Sequence, residues 1–420
     1  MDIIRRFTQY AQIDTQSDES SSAVPSTGKQ FDLARLLVRQ LTEMGASDVW
    51  LSDLCYVYAR IPSNLSPEED AATPRLGFLA HMDTSPSASG KDVKPRIVEK
   101  YDGGDIPLGS GTVLSPKTFP YLMTAAGSDL MVTDGTTLLG ADDKAGIAEI
   151  MEMADILLKN PSIRHGEIDI AFTPDEEIGS GAEGLDLARF GAEVGYTVDG
   201  GPLGELEYEN FNAASGTVQI RGVGVHPGAA KGKMVNASLL AMEFDSLLPP
   251  ERPSNTEGYE GFYHLTDIRG DVSECRMHYI IRDHDRESFE KRKELFRQAG
   301  ARVNERLSGT DAAVTVTVTD SYYNMREKIE PHMYLIDLAD RAFRECGVTP
   351  RTVPVRGGTD GARLSFRGLP CPNLSTGGGN YHGIYEYLNL NSLRKMPEVL
   401  VRIAELFVRC RNQRNLTAVP

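Results

Sequence analysis

The chain has 420 residues, 40% hydrophobic and 25% charged, ordinary for a soluble globular protein and too long for one typical domain. A formal net charge of −16 argues against nucleic acid or an anionic membrane as the main partner, while leaving room for a metal cation or a small substrate. Five cysteines (Cys55, Cys275, Cys346, Cys371, Cys410), far apart and without a C-x-x-C pair, support neither a disulfide framework nor a cysteine zinc site. Residues 1–7 lack the apolar core of a signal peptide and no apolar run reaches transmembrane length, so a reducing cytoplasm is the expected location.

Ile3, Ile4, Phe7, Tyr10 and Ala11 share one helical stripe, and a serine-rich polar loop follows over residues 14–26. Phe31, Ala34, Leu37, Val38 and Leu41 mark a second amphipathic helix that Gly45 stops. Strands are expected at 56–61 and, more clearly, at 76–80, where the apolar run opens into His81-Met82-Asp83. In H-x-D the aspartate can hold the second ring nitrogen and so fix which nitrogen faces a metal. Leu138 to Gly146 then leads into Ile147, Ile150, Met151, Ala154, Leu157 and Leu158 at helical spacing. Asp143 stands where an N-cap belongs, which accounts for one aspartate and leaves Asp142 without a local role.

Ile168, Ile170 and Phe172 alternate with Asp169 and Ala171, Pro174 ends the run, and the strand delivers Asp175, Glu176 and Glu177. Three adjacent carboxylates cannot all ionise cheaply unless a cation or a proton is shared among them; a solvated acidic turn is the plain alternative. Residues 195–198 form another apolar run, ending in Asp199. Three strand ends thus present His81, Glu176/Glu177 and Asp199, where open α/β sheets place ligands. Helices between the strands imply βαβ units and a mostly parallel sheet.

After about residue 212 the pattern changes. Strands at 217–221, 261–268, 275–282 and 313–319 and helices at 235–248 and 286–307 give the order β-α-β-β-α-β, a ferredoxin-like α+β domain inserted at 213–323. Residues 1–212 and 324–420 make the other domain. It closes with a helix at 333–346, a glycine-rich approach to His382, which suits a close-approach loop, and a final helix at 392–411.

The candidates His81, Asp142, Glu177, Asp199 and His382 are two imidazoles and three carboxylates. Nitrogen and oxygen donors without thiolate suit zinc, or less specifically cobalt or manganese, and two zinc ions sharing a carboxylate need about this set. Glu176 would remain free as a general base.

The segments H-x-D-T-S from His81, G-A-D-D-K-A-G from Gly140, T-P-D-E-E-I-G from Thr173, V-D-G-G from Val198 and N-Y-H-G from Asn380, in this order, resemble the zinc-dependent M20 peptidases. The likeness extends over nearly the whole chain, and residues 209–215, 258–264, 277–283 and 321–327 resemble the tripeptide-cleaving aminopeptidases of that family. Residue by residue, the resemblance implies that Asp142 bridges two zinc ions, with His81 and Asp199 completing one site and Glu177 and His382 the other. It implies that Asp83 orients His81 and that Glu176 is the base as metal-bound hydroxide attacks a peptide carbonyl. The inserted domain becomes a lid and dimerisation module, hence a homodimer. His226 in V-H-P-G would polarise the scissile carbonyl, from this chain or its partner, and Arg282 and Arg356 would grip the substrate carboxylate.

Without the resemblance, His226 reads as a turn histidine before Pro227, and the two arginines read as surface ion pairs. His264, His278 and His284 are expected to pack or face solvent, and the cysteines to lie in the core. The expected activity is removal of the N-terminal residue from tripeptides. A dipeptidase or an N-acyl-amino-acid deacylase on the same scaffold is the related alternative, and an inactive metal- and peptide-binding protein the alternative of another class.

Overall fold

The computed structural model of the chain describes residues 1–109 and 111–408. It divides into two compact units: Met1–Tyr208, Glu327–Val353 and Thr359–Pro420 form one, Glu209–Arg326 and Pro354–Gly358 the other.

The first unit is built on a mixed eight-stranded sheet, ordered Ser47–Leu51, Val57–Ile61, Ile168–Thr173, Leu76–His81, Val194–Gly200, Asn373–Ser375, Glu205–Glu207, Arg351–Thr352. From Ile168–Thr173 through Asn373–Ser375 the neighbours are parallel, as is the outer pair Glu205–Glu207 with Arg351–Thr352. Leu76–His81 and Ile168–Thr173 are buried at every residue, as strands covered on both faces must be.

The helix Ala141–Lys159 packs across Leu76–His81 and Val194–Gly200. Gly146 permits this approach, because a β-carbon there would overlap the Val198 carbonyl oxygen. The helices Ile3–Ala11 and Leu390–Phe407 pack on it in turn, and Gln30–Met44 ends at Gly45 with φ 92°, the left-handed stop that glycine supplies. The last helix starts behind an Asn389 cap; the remainder of the expected 392–411 span beyond 408, with Cys410, lies outside the described residues.

The second unit holds a four-stranded antiparallel sheet ordered Phe262–Gly270, Glu274–Asp283, Asn212–Arg221, Ala313–Tyr322. Alternation turns Val218, Ile220, Met277, Tyr279 and Ile281 onto Phe244 of the helix Ala237–Ser246 and onto Phe289 and Phe296 of the helix Arg286–Arg306. Truncating a ring such as Phe296, fully buried there, costs about 3–5 kcal/mol. One helix after the first strand and one after the third give the split β-α-β-β-α-β topology that the sequence pattern predicted.

Among the described residues no helix is long and apolar enough to cross a membrane. Cys55, Cys275 and Cys371 are buried free thiols and Cys346 is a partly buried one.

Candidate active site

The strand Leu76–His81 ends with His81 buried in the first unit. Its Nδ1 lies 3.1 Å from the Asp83 carbonyl oxygen and 3.4 Å from Asp83 Oδ1. The H-x-D spacing therefore does fix the ring, though the carbonyl is the nearer partner. The Asp83 carboxylate, wholly buried, also accepts the N–H groups of Glu176 at 2.9 Å and Glu177 at 3.2 Å. One side chain thus ties the end of the His81 strand to the acidic turn.

In that turn the three acids part company. Asp175, with φ 57°, points back into the fold, where it accepts from Ser26 N–H at 2.6 Å, Ser26 Oγ at 2.5 Å and Gln30 Nε2 at 2.7 Å. It anchors the start of the second helix. Glu176 and Glu177 enter a short 3-10 turn, Glu176–Ile178, and turn toward the histidines.

Asp143 caps its helix as expected, Oδ1 accepting Gly146 N–H at 3.2 Å, while Oδ2 accepts His81 N–H at 3.2 Å. Asp142, joined to it by a cis peptide and non-helical at φ −87° and ψ 104°, has its carboxylate between two imidazoles. Its Oδ1 lies 2.9 Å from His81 Nε2 and its Oδ2 3.1 Å from His382 Nε2. Asp199, in the strand Val194–Gly200, brings Oδ1 to 3.4 Å from His81 Nε2. Glu177 brings Oε2 to 2.9 Å from His382 Nε2. His382 itself has φ 65°, at the end of a loop that Gly377 enters at φ 92°, where a β-carbon would collide with Ser392.

Two groups result: ligand atoms of His81, Asp142 and Asp199 lie within 4.8 Å of one another, as do those of Asp142, Glu177 and His382. Asp142 belongs to both. Burial would lower the His81 imidazole, but Asp199, Asp142 and Asp83 outweigh it and hold the ring well above its ordinary pKa. Hydrogen bonds to Asp142 and Glu177 lift His382 to about 11. Burial opposes ionisation of Asp142, yet its bonds to His382 and His81 keep it below the usual carboxylate range. Burial lifts Glu177 to about 7, Asp199 to about 6, and Glu176 well above its ordinary value.

The other three candidates belong to the second unit. His226 is exposed, and its Nδ1 accepts Gly228 N–H at 3.1 Å, so the neutral ring carries its proton on Nε2. Arg282 lies over the Tyr322 ring and donates to the carbonyls of Ala214 and Ile281. Arg356 lies over Phe211 and Phe262 and donates to the carbonyls of Gly258 and Glu260. Neither arginine forms an ion pair among the described residues, so neither is the surface pair that was the plain reading of each. His264 is exposed and His278 partly buried, while His284 packs against Phe211 and Tyr259.

A family model described as peptidase family M20/M25/M40 matches residues 133–406. The chain belongs to that family. Peptidase T of Alkaliphilus oremlandii is 52% identical to it over 408 residues, covering 96% of this chain and 99% of that protein. A tripeptidase structure from Staphylococcus aureus shares the fold with a TM-score of 0.77 at 22% identity, covering 97% of this chain and 98% of that one. So does a dinuclear metal-binding M20 peptidase from Bacillus subtilis, with a TM-score of 0.65, 13% identity, and coverage of 97% and 98%. This M20 chain is accordingly a peptidase, and thereby a hydrolase.

The donor set of this M20 peptidase fits metal ions. Glu177 Oε1 is buried with no hydrogen-bond partner among the described residues, a costly state for a carboxylate oxygen unless a cation takes it up. Sequence reasoning passed over several buried carboxylates around the two groups. Asp360 accepts from Thr173 Oγ1 at 2.8 Å and burial lifts it to about 7. Glu386 faces the Asp142 turn. Its one sequence signal is a lone acid inside the run Ile384-Tyr385-Glu386-Tyr387-Leu388.

Proposed function

We propose that the chain is a two-zinc aminopeptidase that removes the N-terminal residue of tripeptides. The observation carrying this reading is the pair of ligand groups that share Asp142. Imidazole and carboxylate donors without thiolate suit zinc. His81, Asp142 and Asp199 would hold one ion, and Asp142, Glu177 and His382 the other. Ions held there would supply Lewis acidity and a water acidified to about neutral pH.

The remaining work falls to the protein. Glu176 is held by Asp83 through its backbone N–H, and burial raises its carboxyl, which suits a base that takes a proton near neutral pH and returns it to the leaving amine. His226, with Nε2–H available, is assigned to donate to the carbonyl oxygen as charge develops, from this chain or a second copy. Arg282 and Arg356 are assigned to the substrate carboxylate, which a guanidinium fork binds bidentately. The same reading makes the second unit a lid and dimerisation module. It places the enzyme in the cytoplasm, in keeping with the free thiols.

The test is release of the N-terminal amino acid from di-, tri-, tetra- and N-acetylated tripeptides, with zinc and after chelation. Activity confined to tripeptides and lost on chelation supports the reading. Activity chiefly on dipeptides or acylated substrates moves it to a dipeptidase or deacylase, and inactivity with zinc bound to a binding protein.

A further inference from the structure

We infer that Glu386 is a positioning residue for the metal centre, fastening the turn that carries Asp142 to the loop that carries His382. The inference rests on the two-metal reading above. Glu386 is 1% exposed. Its Oε2 accepts Leu139 N–H at 2.7 Å and Gly140 N–H at 2.8 Å, and its Oε1 accepts Asp142 N–H at 3.1 Å. Asp142 and Asp143 are non-helical and Asp143 caps the helix that follows, so the N–H groups of Leu139, Gly140 and Asp142 belong to the turn ahead of it and need a partner from outside the helix. Glu386 satisfies that turn from elsewhere in the chain. Bonds from backbone N–H groups to a carboxylate are about twice as strong as neutral ones. Both oxygens are occupied by the backbone, so Glu386 orients a ligand rather than acting as one.

Its own backbone is held separately. Glu386 N–H donates to the Gly383 carbonyl at 3.1 Å, and the following strand Tyr387–Asn389 pairs with Gly378–Gly379 on one side and Leu130–Val132 on the other. Glu386 lies four residues beyond His382. The consequence is asymmetric. His81 and Asp199 belong to strands of the central sheet and stay in register without Glu386. In the other group, Asp142 and His382 both sit on segments that Glu386 joins, and Glu177 alone is independent of it. Loss of the carboxylate is therefore felt mostly at the Asp142–Glu177–His382 ion.

The experiment is a calorimetric zinc titration of metal-stripped wild type, Glu386→Gln and Glu386→Ala, repeated with cobalt and read by its visible spectrum. Far-UV circular dichroism and thermal unfolding report folding. Gln keeps the shape but leaves one oxygen for three donors, so it remains informative where Ala fails to fold. Wild type is expected to take up two ions per chain. Glu386→Gln should keep one at wild-type affinity and bind the second about 10–100-fold more weakly, the usual effect of removing a group that orients a ligand. A purely structural Glu386 would lower thermal stability and leave both affinities unchanged, and that result overturns the inference alone. A wild type that takes up no zinc overturns the two-metal reading, and the inference with it.

Discussion

The two ends of one pair of strands treat buried charge in opposite ways. Leu76–His81 and Ile168–Thr173 run side by side, Gly77 opposite Asp169 near the start and His81 opposite Thr173 at the finish. At the start, Asp169 is 1% exposed and sits between two arginines, Arg60 Nε donating at 3.0 Å and Arg75 Nε at 2.9 Å. Burial still lifts the Asp169 carboxyl, but the guanidiniums offset much of that rise, and they stay charged at any ordinary pH. At the finish, the cationic partners of Asp142, Glu177 and Asp199 among the described residues are imidazoles, which are charged only while protonated. One end neutralises its carboxylate with the protein's own cations. The other gathers more carboxylate than the chain neutralises, the state expected of a site built to receive metal ions.

The largest effect expected from this contrast is catalytic. Glu176→Gln should lower kcat/KM for a tripeptide roughly 10²–10⁴-fold, the range for a general base. Thermal stability of the metal-free protein should not fall, because the substitution removes a carboxyl whose ionisation burial already opposes. Activity within tenfold of wild type would place the base elsewhere. Next comes the metal itself. Zinc at about a thousand times its Kd should raise the unfolding free energy by about 4 kcal/mol, seen as a higher Tm that chelation reverses. Asp142→Ala, which removes the ligand common to both groups, should abolish that rise; an undiminished rise would mean zinc binds at other residues.

The contrast also explains what could be read in advance. His81, Glu177 and Asp199 were legible because apolar runs of strand length ended on them, and strand ends meet at one edge of an open sheet. Asp142 was legible by subtraction, since Asp143 already had a job as cap, and that job is the one it performs. The roles of Asp175 and Glu386 were not legible. Asp175 differs from Glu176 only in a backbone angle that swings it toward Ser26 and Gln30, and no local pattern encodes that. Glu386 serves a turn more than 240 residues away in the chain, so no periodicity could connect them. The order of strands and helices in the second unit was readable because its strands are long and alternate, whereas Pro354–Gly358, with Arg356, join that unit from a stretch expected in the other domain, which no local pattern encodes.

Substitutions at the two strand ends should carry opposite signs. Asp169→Asn leaves Arg60 and Arg75 facing a neutral amide and should cost roughly 1–3 kcal/mol of stability, discounted from the range for broken buried pairs because both arginines are partly solvated. Zinc affinity should not change. Asp199→Asn should leave metal-free stability equal or higher, since burial and neighbouring Asp142 already oppose its charge, while weakening zinc uptake. Urea unfolding of both metal-stripped variants decides the matter. A loss of stability in both would remove the distinction between the ends.

The smallest effect tests the principle at a carboxylate outside both clusters. Glu207, 8% exposed, has Asn373 Nδ2 as a donor at 3.2 Å and no cation beside it among the described residues. Burial lifts its carboxyl to about 8. In the unfolded chain it ionises near its ordinary value, so between about pH 4.5 and 8 the folded state binds more protons than the unfolded one. Stability must then fall as pH rises through that window, by at most about 1.4 kcal/mol per unit, and level off above the folded pKa. Glu207→Gln, which keeps an oxygen for Asn373, should match wild type near pH 4.5 and exceed it progressively toward pH 8. Parallel stability curves for the two proteins would mean that one amide donor suffices to keep a buried carboxylate charged. The carboxylates at the metal-facing strand ends would then need no cation to explain how they are tolerated.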